Sequence, residues 1–299
     1  MSAPSSRQLA RERRLRSVAD AWRLFLKDRA GVVGLIVLVA FILVAVLAPV
    51  IAPADGLDVT KATGGVLDPP SSSFWLGTDD NGRSVLTLLI WGSRISLFVG
   101  FLATGISMII GTFIGLMSGF FEGWIGSSLF RITEWFLVIP YLALAMVLAS
   151  VLGPSTWNIS FVIGVTSWST TALLIRSQTL TLKERTYLER ARVLGAGRWH
   201  QMTRHILPNL MPIVLANTTL TVALAVLAET TLSFLGLGDP TSVSWGSMLE
   251  EAFQVGAMTT GSWWFILAPG VCVVIVVLAF TLVGQALEEV FNPRLKARR

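Results

Sequence analysis

Long apolar runs separated by short polar segments repeat along the chain. Six runs, near 31–52, 95–118, 130–152, 158–178, 210–235 and 263–286, reach the roughly 20 residues that a helix needs to cross a hydrocarbon core about 30 Å thick. None alternates apolar and polar residues as a barrel strand does. Internally bonded helices are then the way to satisfy the backbone in lipid. The pattern predicts an all-α, polytopic membrane protein with six transmembrane helices. Pro140 lies within the third run and predicts a kink there.

Composition agrees. Of 299 residues, 53% are hydrophobic and 14% charged, with a mean hydropathy of +0.69, whereas a soluble domain carries about 25% charge. The basic residues orient the chain. Most of the 23 lysines and arginines fall in three places. They are the N-terminal tail (Arg7 to Arg29), the segment after the fourth run (Lys183 to Arg204) and the C-terminus (Arg294 to Arg299). Loop 53–91 has only Lys61 and Arg83, and loop 236–262 has no base. Basic loops stay inside, which predicts that both termini and loop 179–209 are cytoplasmic. The formal +5 therefore reports topology and does not point to nucleic acid.

The first apolar run is about 22 residues long, beyond the 7–15 of a signal-peptide core, so an uncleaved anchor is expected. Before it, Val18, Trp22, Phe25 and Leu26 share one helical face, and Arg16, Asp20, Arg23 and Lys27 another. That spacing predicts a short interfacial helix within a basic tail, 1–30.

Enzymatic chemistry finds no foothold. Cys272, the single cysteine, lies in the last run and belongs to no metal-ligand pattern. His200 and His205 stand in a polar segment with no nearby carboxylate and read as surface or interface histidines. GxxxxGK[ST], GxSxG and HExxH are all missing, so no nucleotide, metal or cofactor is expected in this chain. Trp91, Trp124, Trp157, Trp263 and Trp264, near the ends of the runs, fit an interfacial belt.

The segment YLERARVLGAGRWHQMTRHILP at 187–208 is a polar insert between the fourth and fifth runs. Residues 183–194 lack Gly and Pro and suit a short surface helix. Gly195 and Gly197 allow a sharp turn, and Pro208 stands beside the start of the fifth run. Glu229 is the clearest charge within a run. An ionisable group at mid-membrane costs on the order of 3 kcal/mol to insert, so it either lines a pathway or braces helices, with the bracing or gating role favoured. Arg131 and Glu134, three apart, suit an ion pair. The acidic loops 53–91 and 236–262 suit a docking surface, with Trp245 as a candidate gate or anchor.

At the polar insert the chain resembles the membrane subunits of bacterial ABC importers, whose EAA motif runs E-A-A, three residues, Gly, nine residues, I-x-L-P. Glu189, Ala191, Gly195, Leu207 and Pro208 match, while Arg190 replaces the middle Ala and His205 stands where Ile is common. LGTDDNGRS at 76–84, AETTLSFLGLG at 228–238, DPTSVSWGSML at 239–249 and WWFILAPG with a later NPR extend the likeness. They place it with the C-type permeases of the dipeptide, oligopeptide and nickel importers. Ser84, Gln285, Glu288, Glu289 and Asn292 depart from that pattern. The resemblance implies a type I importer transmembrane core over 92–286, containing a coupling loop at 183–208. A first helix with its external loop (31–91) precedes it and a cytoplasmic tail (287–299) follows. It also implies a bacterial inner-membrane location, a second permease, a soluble substrate-binding protein and two ATP-binding subunits that hold ATP and Mg. Glu189, Arg190, Ala191, Arg192, Gly195, Leu207 and Pro208 become the residues expected to couple to the ATPase. The competing reading is a self-sufficient, ion-driven secondary transporter, which wants inverted repeats and several midplane polar groups. The sequence offers no convincing repeat and one deep carboxylate.

Overall fold

The computed structural model describes residues 19–291. Val18 and Arg16 of the expected interfacial helix, and the basic C-terminal tail from 292, lie outside them. Within the described residues five helices are long and apolar enough to cross a membrane, and a bent pair makes a sixth.

Residues 19–25 form α1. Phe25 is buried and Trp22 stacks on it at 5.5 Å, yet Trp22 and Leu26 stay half exposed. The apolar face is thus only partly used by the protein. Asp28 caps α2 (Arg29–Ile51), its carboxylate accepting from the Ala30 N–H at 3.1 Å. Helix α2 lies against the last helix, α11 (Trp263–Phe291). A Cβ on Gly31 would come within 2.4 Å of the Ala286 Cβ, so only glycine lets the two axes approach.

Helix α3 (Val85–Phe120) has 36 residues and is about 54 Å long. It starts ten residues before the apolar run 95–118 because Val85, Leu88 and Leu89 are buried against the loops around it. Gly111, Gly115 and Gly119 stack one turn apart against α6 (Thr156–Lys183), where a Cβ would meet the carbonyls of Trp168, Ala172 and Arg176 at 3.0 Å or less. Small residues on one stripe are how membrane helices approach closely.

The bend expected at Pro140 is present and sharp enough to break the third run. That run is two helices, α4 (Trp124–Val138) and α5 (Tyr141–Leu152), meeting at 87°. Pro140 supplies no N–H, and Ile139 before it is extended at φ −73°, ψ 126°, the conformation proline imposes on its predecessor. Few residues of the pair are buried: Gly126, Thr133, Ala145 and Ala149.

Beyond α6 come the short α7 (Thr186–Val193) and α8 (Arg198–Gln201), then α9 (Leu207–Leu232). From α8 onward the chain runs as one helical rod through Arg198–Leu237, 40 residues and at most about 60 Å, up to a break at Gly236, φ 78°. A surface helix, α10 (Trp245–Gln254), leads into α11. Contacts define two ends. Segment 52–84, α10 and turn 153–155 meet at an acidic end, where Trp264 donates to the Thr78 carbonyl and Thr156 to Asp239. Turn 121–123 and residues 184–206 meet at a basic end, where Lys183 pairs with Glu122 at 2.5 Å.

Candidate functional site

At the basic end, Leu188 alone of α7 is fully buried, and it joins Met202, Ile206 and Leu210 of the rod in one apolar cluster. This fastens α7 to α9. Its C-terminus closes with a double bond pattern: the Ala196 N–H donates to the Ala191 carbonyl at 2.9 Å, and the Gly195 N–H to Arg192 at 3.0 Å. This left-handed helix stop needs a residue at positive φ, and Gly195 is at φ 85°. The four-residue spacing from Ala191 to Gly195 is therefore geometric, since the stop ties the carbonyl of the one to the turn at the other. Gly197, at φ −65°, has a backbone any residue adopts, so the turn rests on Gly195. Gln201 donates to the Ala196 carbonyl at 2.7 Å and clasps the turn to α8.

Leu207 and Pro208 open α9. Pro208 cannot donate to the carbonyl of Arg204, and the rod responds with a π-helical turn over Met202–Ile206 in which the Leu207 N–H reaches Met202. Asn209 donates its side-chain amide to the His205 carbonyl at 2.5 Å, so the widened turn leaves that oxygen satisfied. His205, where isoleucine was expected, stands beside Tyr187 of α7 and His200 of α8 at 6.3 and 5.5 Å between ring centroids.

Glu189 and Arg192 line one side of a recess of about 460 Å³ between α7 and residues 118–127, together with Arg176, Lys183 and Glu184. The Lys183 ammonium holds the Glu122 carboxyl below the usual carboxylate range. Arg190, Val193 and Leu194 are exposed, the latter two more than 80%, and Ala191 is half-buried. The structure thus brings Glu189, Arg190, Ala191, Arg192 and Gly195 onto one corner, with Leu207 and Pro208 at the start of the helix that α7 packs against. Arg176 was not singled out from the sequence. It donates to the Ser118 carbonyl and covers the Phe130 ring, locking α6 to α3 and α4.

Glu229 and Trp245 lie toward the acidic end. Glu229 is in the last turns of α9 and is 1% exposed. Its Oε1 accepts from Ser233 at 2.9 Å, while Oε2 has no hydrogen-bond partner in the protein, although Ser96, Ser244 and Thr230 surround the carboxyl. Trp245, expected in an exposed loop, is fully buried at the start of α10. Its indole donates to the Leu89 carbonyl at 3.1 Å, its backbone N–H to Ser96 at 3.2 Å, and its ring meets Phe41 edge-on. It anchors α10 to the bundle and presents no gate surface.

Asp79, Asp80 and Glu251 place carboxylate oxygens within 4.8 Å of one another, and the cation among them is Arg83, 2.6 Å from Asp79 and 3.3 Å from Glu251. Burial raises the Glu251 and Asp80 carboxyls above their ordinary range. Next to this clasp is a cavity of about 750 Å³ lined by Arg83, Trp91, Arg94, Asp239, Glu250 and Glu251, among others. Arg94 escaped the sequence reading because it stands one residue before the apolar run and looks like an ordinary flank.

Comparison with known proteins bears on this arrangement. The family described as "Binding-protein-dependent transport system inner membrane component" matches residues 111–297. "N-terminal TM domain of oligopeptide transport permease C" matches residues 18–70. The dipeptide transport system permease protein DppC of Haemophilus influenzae is 36% identical over 93% of this chain and 95% of its own. That of Alkalihalophilus pseudofirmus is 32% identical over 93% and 90%. The glutathione transport system permease protein GsiD of Pectobacterium atrosepticum is 32% identical over 93% and 91%. The helical bundle, its polar corner between spans and these matches agree: the chain belongs to the binding-protein-dependent transport system inner membrane components, as an ABC importer permease subunit.

Proposed function

We propose that this permease imports di- or oligopeptides, with its basic end in the cytoplasm and its acidic end facing the substrate-binding protein. It works beside a second permease and over two ATP-binding subunits, which hold ATP and Mg. The observation that carries this reading is the rigid corner at 186–206. Helix α7 is stopped by Gly195, stapled by Leu188, and continuous through α8 with a rod about twice as long as the roughly 30 Å apolar core of a bilayer. A push on exposed Arg190, Val193 and Leu194 is therefore delivered to α9 as rigid-body motion. The peptide preference comes from the relatives' named substrates.

The test is gentle detergent purification with mass identification of co-purifying subunits, followed by reconstitution. ATP-dependent peptide uptake by a four-subunit assembly is expected. Glu189→Arg should leave assembly intact and lower the uptake obtained per ATP about tenfold. A lone chain that transports on an ion gradient would overturn the reading in favour of a secondary transporter.

A further inference from the structure

We infer that the cavity at the acidic end is a transit site for the α-carboxylate of the solute, with Arg94 as its cationic contact. This rests on the peptide reading above and adds a recognition chemistry to it. The cavity, about 750 Å³, is within the roughly 300–1,000 Å³ of small-ligand sites. Its charges are unequally committed. Asp239 accepts four hydrogen bonds from Thr156 and Thr241. Glu251 and Arg83 pair with each other. Glu250 accepts from the neutral amide of Gln254 at 2.5 Å and, among the described residues, has no cationic partner.

Arg94 differs from them all. It is half-buried in the third turn of α3, and its guanidinium packs over the Trp91 ring at 5.1 Å. Among the described residues it makes no ion pair and no hydrogen bond. Its five N–H donors form a planar fork that fits a carboxylate in two-pronged fashion. An arginine near the end of a membrane helix ordinarily reaches out to the interface; this one lines the cavity with its guanidinium over the Trp91 ring. The indole keeps the fork stacked and oriented without neutralising it. With Arg94 and Glu250 both lining it, the cavity suits a zwitterion whose carboxylate meets the guanidinium.

The probe is dialanine against its C-terminal amide, on the complete importer. Cys272→Ala removes the native thiol, and Val243→Cys reports from the cavity wall, with Pro240→Cys as a second reporter should the first disturb folding. Dialanine should slow thiol labelling on this chain about tenfold, and the amide should not. Arg94→Gln should abolish the protection, and Arg94→Lys should keep part of it. Equal protection by acid and amide, protection that survives Arg94→Gln, or no protection would each overturn the site. ATP-driven peptide uptake is measured on the same preparation. Intact uptake without protection sinks only the Arg94 site, whereas absence of peptide uptake sinks the broader reading.

Discussion

Asp239 shows how much one carboxylate can do at a distance. The N-cap position of α6, Ser155, offers no side-chain bond to its helix, so the first N–H groups lack a local acceptor. Asp239 reaches across 83 positions and supplies one, its Oδ2 accepting from the Thr156 N–H and hydroxyl at 3.1 and 3.0 Å. Its Oδ1 accepts from Thr241 at 2.9 and 2.6 Å. Burial raises this carboxyl, and the hydrogen bonds outweigh it, so the group is held below its ordinary range. With the folded value depressed, the stabilisation is full above the unfolded value and is lost as pH falls through the folded one. Asp239→Asn turns one acceptor into a donor facing donors. It should cost about 1–2 kcal/mol, seen as a lower melting temperature at neutral pH. The gap from wild type should close on acidification. Equal melting at pH 7 would refute the cap. In sequence, Asp239 is simply one more acid in an acidic loop. No local pattern shows a cap supplied from 83 residues away, and for the same reason Trp245 reads as a surface aromatic.

Elements were more legible, because their signals are local. Helix α7 follows from a run without Gly or Pro, and its end from the first Gly after it. What spacing could not say is which of Gly195 and Gly197 makes the turn. The two φ values settle it and provide an internal control. A Cβ at 195 or at 197 meets no atom within 4 Å, so packing does not distinguish the substitutions. Gly195→Ala carries the strain of φ 85°, about 1 kcal/mol, whereas Gly197→Ala carries none. In the reconstituted importer Gly195→Ala should lower uptake per ATP several-fold. Gly195→Pro, which also removes the N–H given to Arg192, should abolish it. Gly197→Ala should behave as wild type, and uncoupling by Gly197→Ala equal to that of Gly195→Ala would defeat the account. The α4–α5 break is the converse case. Pro140 announced a bend, but its 87° is set by the extended Ile139 and by how little of either helix is held by neighbours.

At the scale of the whole molecule, the rod from Arg198 to Leu237 joins the corner at 186–206 to the acidic end around α10. Its basic end is fixed by Leu188 and the Gly195 turn. Its acidic end is fixed by Glu229, whose carboxyl is surrounded by hydroxyls from three elements: Ser96 on α3, Thr230 and Ser233 on the rod, and Ser244, the cap of α10. Immediately beyond, the rod widens and breaks at Gly236, φ 78°, and this cluster joins α9 to α10 just before the break. The packing there has no slack, since a Cβ on Gly246 would come within 2.6 Å of Ser233 and 2.7 Å of the Thr230 carbonyl. Glu229→Gln preserves volume and the acceptor for Ser233, but it puts an amide where Oε2 now stands among hydroxyls. The bundle should still assemble with its partners, because Trp245 and the Arg83 clasp hold α10 independently. Uptake should fall, with basal ATP hydrolysis retained. Co-purification reads assembly and vesicle uptake reads transport. An unchanged uptake rate would remove Glu229 from the transport mechanism. Loss of assembly would make it a folding residue alone.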